Sequence, residues 1–523
     1  MERWLDTHRT AAGWAAFVAA LLLVGLTLTD PGITWDEPAY FGSAQLQVGW
    51  VKLLLTEGPA GALDRDTVFG MWDWDHYHNP HPPVYKDAMG LTWWATRGIV
   101  GELAGYRLAS ALLFAGSIML VFRWAAAAWG GIAGLGAALS ILLMPRLFGH
   151  AHFGATETPL VAFWLATGAA GWWAVERRKR AGWILAGVAW GLAAGTKFSG
   201  LLAIVPLAAW GLWRDPRATL GGIPFAALGA IAVFAVLNPM LWVDPVFYLR
   251  RWLVESVTRA DWAPIATYYL GRVYPFSVPW HHVFVMTAAV TPIAILALAA
   301  AGAIAGLRRV DPLVGLCVLT VGLVWLTMLA PRAPHHDGVR MFIALFPFLG
   351  LLAGYGLARA WGAIGGRARA VLLALAFAPP AIQLAAVHPY ELAYYGEAVG
   401  GVRGARRLGF ETTYWMDAYT GPVLAWMNRE LPRGARVLVL ENVLALEFQR
   451  AYGRLRPDLE PTSDPAGAGW ILVQMRQGMM SPELAALVRR ARPEYRLELQ
   501  GVPLVAIYRN GDPVGPAESP GNE

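Results

Sequence analysis

Apolar runs recur along this chain at lengths that match a lipid bilayer, and no other feature limits its fold so sharply. A hydrocarbon core about 30 Å thick takes about 20 mostly apolar residues per helix. By that measure about eleven spans emerge, near 11–29, 105–127, 129–144, 159–175, 182–196, 199–213, 218–237, 284–306, 312–330, 339–358 and 367–386. Backbone groups in lipid must find partners within their own segment, so runs of this kind predict helices. The composition agrees: of 523 residues, 56% are hydrophobic and 15% charged, whereas soluble domains carry about 25% charge. The run at 11–28 is long for a signal-peptide core and has no small-residue cleavage site after it, so it is read as a retained first span.

The net charge of +6 does not point to nucleic acid, because Lys and Arg sit in short clusters between apolar runs. Such clusters report topology, since short positive loops stay cytoplasmic. Arg3 and Arg9 begin the chain inside. Alternation then puts Arg123, the run Arg177 to Arg180, Arg214 with Arg217, Arg308 with Arg309, and Arg359 with Arg367 and Arg369 on the same side. The expected location is a cytoplasmic (inner) membrane, with the N-terminus in the cytoplasm. Ten histidines (His76, His78, His81, His150, His152, His281, His282, His335, His336 and His388) then fall on the outer face, with Asp36, Glu37, Glu157 and Asp337. Several cations, Lys86, Lys197, Arg272, Arg332 and Arg340, lie outside against the bias, as a fixed anion would require. Cys317, the one cysteine, lies within an apolar run, which excludes an intrachain disulfide and a thiolate zinc site.

The texture divides the chain. Residues 1–388 form the transmembrane part, with an outer loop at 30–90 that carries a concentration of reactive side chains. Residues 389–510 read as a small outer α/β domain, with strands expected near 435–441, 469–474 and 495–508 and a capped helix beginning at Ser481 and Glu483. The tail 511–523 is polar and rich in Gly and Pro, and reads as disordered.

Within the outer loop, Asp36-Glu37-Pro38 closely follows the first span and opens an amphipathic helix suited to lie along the interface. Either acid could cap that helix; alternatively one is a general base for an acceptor hydroxyl or amine. Glu157 in HFGATETPL stands in the same position before the fourth span, as a cap or as a second acid that orients the acceptor or holds a metal ion. The prolines of HNPHPPVYK stiffen the segment that carries His76, His78, His81, Tyr85 and Lys86. These histidines, with His335-His336-Asp337, are either hydrogen-bonding groups at a wet interface or ligands of a divalent metal ion, although no spacing matches a zinc signature. Lys197 in GTKFSG, Arg340 in HHDGVRMF and Lys86 are candidate seats for a leaving phosphate, or cations that snorkel to lipid headgroups. GTKFSG lacks the length of a Walker loop and implies no nucleotide. Two short spans flank it, so a dip or tight turn is expected there.

The acidic pair after the first span, HPP, PRLFGHAHFGATETPL, GLAAGTKFSG, HHDGVRMFIALFPFLGLLAGYG and HPYELAYYGEAVGG together resemble family 39 glycosyltransferases, the group that includes protein O-mannosyltransferases and lipid A aminoarabinose transferases. The resemblance covers roughly residues 10–410. It implies the GT-C membrane fold, a polyprenyl-phosphate sugar donor and action on the outer face. By resemblance Asp36 matches the acid of the first outer loop, Glu157 the acid before the fourth span, and Lys197 and Arg340 the basic positions near the carrier phosphate. His81-Pro82-Pro83 stands where aminoarabinose transferases carry Lys-Pro-Pro, so Lys86 is the alternative phosphate contact. The expectation is a polytopic α-helical membrane protein of GT-C fold, an inverting transferase with substrate contacts from His81, Tyr85, Lys86, Lys197, His336 and Arg340 and catalytic acids among Asp36, Glu37 and Glu157. Its partners would be the carrier-linked sugar, a lipid, glycan or protein acceptor, and membrane lipids. The other classes left open are a transporter or flippase of lipid-linked sugar, whose ionisable groups would sit on broken helices, and a sensor or scaffold presenting the outer domain.

Overall fold

The computed structural model describes residues 1–73, 81–262, 265–331 and 333–511, with backbone alone at 259–262. His76, His78, Arg332 and the tail from 512 therefore lie outside the described residues. Each expected apolar run is helical over most of its length. Among the described residues, Glu102–Trp129, Pro216–Val236, Arg340–Ala363 and Arg367–Val387 are long and apolar enough to cross a bilayer. Arg9–Gly25, Gly131–Leu142, Phe198–Arg214 and Pro312–Met328 are apolar but shorter.

The run expected as one span at 284–306 is not a single straight helix. It is broken into His282–Val290 and Ile293–Arg308, inclined at 118°. Thr291 is extended and Pro292 follows it. Proline has no N–H to continue the ladder and its ring disfavours helical geometry in the residue before it, which sets the break at that pair.

Helix Phe346–Ala363 is the central post, packed against Gly131–Leu142 and Ile293–Arg308 and buried over almost its whole length. Pro216–Val236 is peripheral and leaves Leu228 and Ile231 each 67% exposed, an outward apolar face that suits lipid. It docks on Arg180–Ala194 through Gly187 and Gly191. A Cβ on Gly187 would lie 2.1 Å from the Ala226 carbonyl oxygen, and one on Gly191 2.5 Å from that of Ala230. Small residues four apart let two backbones approach, the usual device where lipid removes the hydrophobic drive for helix association.

Two helices between the first and second spans, Glu37–Thr56 and Val84–Val100, carry exposed Val51, Leu55, Leu91 and Trp94 beside buried faces. That distribution fits the expected interfacial helices. After Lys197 the chain makes a 3-10 turn, Phe198–Ala203, so the break expected at GTKFSG is present.

A short hairpin, β1 (Thr267–Tyr269) and β2 (Arg272–Tyr274), precedes the broken span. The C-terminal region holds a five-stranded sheet of β3 (Arg436–Val439), β4 (Glu460–Thr462), β5 (Trp470–Gln474), β6 (Tyr495–Leu499) and β7 (Val502–Arg509). Its order is β4-β3-β5-β7-β6, parallel at β4-β3-β5 and antiparallel beyond. The run expected as one strand at 495–508 is a hairpin. Gln500 and Gly501 both have positive φ, 51° and 79°, the geometry of a two-residue type I′ turn. Ser481 caps helix Pro482–Arg490 by accepting from the Leu484 N–H at 3.1 Å.

Candidate active site

The two adjacent acids at 36 and 37 do different work. Asp36 is the N-cap of Glu37–Thr56 by position, but its side chain makes no capping bond. It accepts instead from Arg340 Nη2 at 2.5 Å and from the Trp415 indole N–H at 3.2 Å. Glu37 turns inward, where Arg107 grips it with Nε and Nη2, both at 2.7 Å, and the backbone N–H groups of Thr34 and Gly154 donate at 2.9 and 2.8 Å. Both partners are 0% exposed. With both oxygens bonded and the side chain fully buried, Glu37 has the geometry of a brace for the loop that carries Asp36, whereas it was expected among the catalytic acids.

Arg340 is the hub. It follows Asp337 and Gly338, which both have positive φ (59° and 65°) and turn the chain so that the guanidinium faces inward at the start of its helix. Besides Asp36 it donates to Asp337 Oδ2 at 2.6 Å and to Glu157 Oε1 at 3.2 Å, and its carbon stands 3.7 Å above the Trp415 ring. Lys197 Nζ donates to the same Glu157 oxygen at 3.0 Å. Arg476, from the turn after β5, closes the far side on Asp337 Oδ1 at 2.7 Å. The Asp337 carboxyl lies outside the spans. Burial pushes its pKa up, but Arg476 and then Arg340 outweigh burial and bring it below the ordinary value. Three carboxylates, buried Glu157 and Asp337 and half-buried Asp36, thus meet three cations in one alternating cluster, an arrangement that offsets the cost of burying them.

A cavity of about 370 Å³ opens beside this cluster. Its lining takes in Asp36, Lys197, His336 and Arg340 from the cluster with His81 and Pro82, the apolar Phe198, Leu202, Trp252, Met328 and Met341, and the polar Ser199, Glu255, Ser256 and Thr327. Tyr85 and Lys86, expected as substrate contacts, are not among its lining residues. Tyr85 is buried with its hydroxyl against Ser110 Oγ at 2.6 Å, and Lys86 is 2% exposed. His150 lies behind the site, its ring centroid 5.3 Å from that of Trp415, and burial lowers its pKa to about 3.

The donor set does not fit a metal ion. Asp36, Glu157 and Asp337 all turn onto the Arg340 guanidinium, which occupies the position a cation would take. Among the described residues no group of three or more His, Cys, Asp and Glu side chains could hold one.

Sequence reasoning missed Trp415, Arg476 and Arg107. Arg107 carried a signal, since an arginine within an apolar run demands a partner. Trp415 and Arg476 carried none, because their roles depend on a fold that brings residues more than 300 positions from Asp36 and more than 130 from Asp337 into contact.

Residues 82–242 match the family described as dolichyl-phosphate-mannose-protein mannosyltransferase. Over that segment the chain is similar to a family of mannosyltransferases. The match includes Glu157 and Lys197 but neither Asp36 nor Arg340. Among solved structures, ArnT from Cupriavidus metallidurans bound to undecaprenyl phosphate is 14% identical, with a TM-score of 0.49 over 97% of this chain and 100% of that one. The archaeal oligosaccharyltransferase AglB from Archaeoglobus fulgidus, in complex with an inhibitory peptide and a dolichol-phosphate, is 13% identical, with a TM-score of 0.47 over 88% of this chain and 65% of that one. No curated protein sequence matches.

Proposed function

We propose that this protein transfers a monosaccharide from a polyprenyl-phosphate carrier to an acceptor hydroxyl or amine on the outer face of the cytoplasmic membrane. The observation that carries the reading is a cavity that brings Asp36, Lys197 and Arg340 together with the apolar side chains of Phe198, Leu202, Trp252, Met328 and Met341. An isoprenoid phosphate has a charged head and an apolar chain, and the family matched at 82–242 is named for a lipid-phosphate sugar donor. Lys197 and Arg340 neutralise the phosphate as charge develops on it. Asp36, 15% exposed in its side chain, is the one of the cluster's three acids that lines the cavity. It accepts the acceptor's proton as the new bond forms at the anomeric carbon, while the carbon–oxygen bond to phosphate breaks and phosphate leaves with the electron pair. Attack opposite the leaving group inverts the anomeric centre. Glu157 holds Lys197 and Arg340 in register through one shared oxygen. No step is routed through a metal ion.

The test is release of free polyprenyl phosphate from labelled carrier-linked sugar by purified protein, with a cell-envelope extract as acceptor. Release that requires the extract and is lost in Asp36→Asn is the expected result. Labelled lipid crossing the bilayer of reconstituted vesicles without turnover would replace this reading with transport.

A further inference from the structure

The C-terminal region carries the two residues that finish the cluster, and the chain around them is tied to the loop that bears Asp36. After the last apolar helix, Arg367–Val387, the polypeptide returns to the site as the buried segment 410–420. The Gly32 N–H donates to the Asp417 carbonyl and the Trp35 N–H to the Trp415 carbonyl, each at 2.9 Å. The fit is close: a Cβ on Gly32 would meet the Asp417 oxygen at 2.6 Å. These two bonds brace the approach to Asp36 from below, while the Trp415 indole N–H reaches its carboxylate.

The same segment is bonded to the end of the sheet. Thr413 Oγ1 donates to the Met475 carbonyl at 2.8 Å, the Gly478 N–H to Glu411 Oε1 at 2.8 Å, and the Ala418 N–H to Gln474 Oε1 at 3.1 Å. Arg476 leaves this junction, 3% exposed, and holds Asp337, which in turn holds Arg340. Two routes therefore run from the sheet to the reacting groups: Trp415 to Asp36 and to the face of Arg340, and Arg476 through Asp337 to the fork of Arg340.

We propose that Trp415 and Arg476 are positioning residues, so that the C-terminal region sets the aim of Asp36 and Arg340 and the membrane-embedded part is incomplete without it. This rests on the transferase reading. A positioned carboxylate and a positioned fork act on the transition state, where misplacement by about 1 Å can lower rate by about a hundredfold. Trp415→Phe keeps an aromatic face under the guanidinium and removes only the N–H to Asp36. Arg476→Gln removes the positive charge paired with Asp337, and Arg476→Lys restores it without the fork.

The experiment measures kcat and KM for the carrier-linked sugar, with thermal midpoint, in full-length protein. Trp415→Phe should lower kcat about tenfold or more at unchanged KM and midpoint. Arg476→Gln should lower kcat and raise KM, with partial rescue in Arg476→Lys. Asn428→Ala, which loses hydrogen bonds to the Arg454 carbonyl and the Arg456 N–H within the C-terminal region, should lower the midpoint and spare kcat. Wild-type kcat in both Trp415→Phe and Arg476→Gln overturns the proposal, as does a loss of kcat that follows the midpoint across every variant, Asn428→Ala included. Absence of turnover in the wild type sinks the transferase reading instead. The coupling is then read from binding of a short-chain polyprenyl phosphate, which Arg476→Gln weakens about tenfold if Arg476 sets Arg340 and leaves unchanged if it does not.

Discussion

Replacing Arg340 by lysine keeps the charge and removes the shape. The guanidinium is 4% exposed and spans Asp36, Asp337 and Glu157 at 2.5, 2.6 and 3.2 Å while lying over Trp415. A single ammonium nitrogen cannot reach three carboxylates that a planar fork holds apart, so about two of the three bonds are lost. Each charge-assisted bond contributes about 1.5–3 kcal/mol. Relaxation around the smaller group returns part of this, and a net loss of about 3 kcal/mol is expected. Since about 1.4 kcal/mol is a factor of ten in rate, kcat/KM for the carrier-linked sugar should fall about a hundredfold if the same geometry serves the transition state. The unfolding midpoint in detergent, followed by intrinsic fluorescence, should drop by several degrees. Arg340→Met should be worse on both counts, because Asp36, Glu157 and Asp337 would then face only Lys197 and Arg476. Arg340→Lys with wild-type midpoint and turnover within threefold of wild type would refute the reasoning that the fork organises the site.

Glu37→Gln should behave as a folding lesion, since one partner of a fully buried bidentate pair is neutralised; breaking such a pair costs about 3–5 kcal/mol, and yield with thermal midpoint reads it. A stable Glu37→Gln protein that has lost turnover would return Glu37 to the catalytic acids. Glu411, Glu441 and Asp417 are each raised to about 7, in every case chiefly by burial, and Arg476 opposes the rise at Glu411 and Glu441. Acids whose folded values lie above their unfolded ones stabilise the fold fully below the unfolded pKa near 4, and that stability is lost as pH rises through 7. The amide protection factors of β3, β5 and β7, the intrinsic exchange rate at each pH divided by the observed one, should therefore be larger at pH 6 than at pH 8, and the opposite order would contradict burial of these acids in neutral form.

The helical membrane architecture was legible because burial in lipid imposes one rule on every residue of a span, and that rule is written in consecutive positions. Pro292 shows where a run of apolar letters misleads, since average hydropathy hides the one residue that cannot donate. At 495–508 the β-rich run concealed a turn, because Gln500-Gly501 is short enough to pass for strand. Asp36, Glu157, Lys197 and Arg340 stood out as ionisable residues at span borders on one side, and all four meet in one cluster. Asp36 and Glu37 could not be told apart by sequence: neighbours on a helix's first turn point in different directions, and only the position of Arg107 decides which one is saturated.

What the sequence carried alone is the recurrence of apolar helices, the sidedness expected from Lys and Arg, and the small group of charged residues too costly to place at random. What the tertiary structure decided is pairing: which carboxylate faces the cavity, which is a brace, and that Trp415 and Arg476 from the C-terminal region complete a cluster begun near the N-terminus. The physical reason is range. Hydropathy and helix starts are properties of neighbouring residues, whereas a buried charge is governed by whichever partner folding brings within about 3 Å, and no local pattern names that partner.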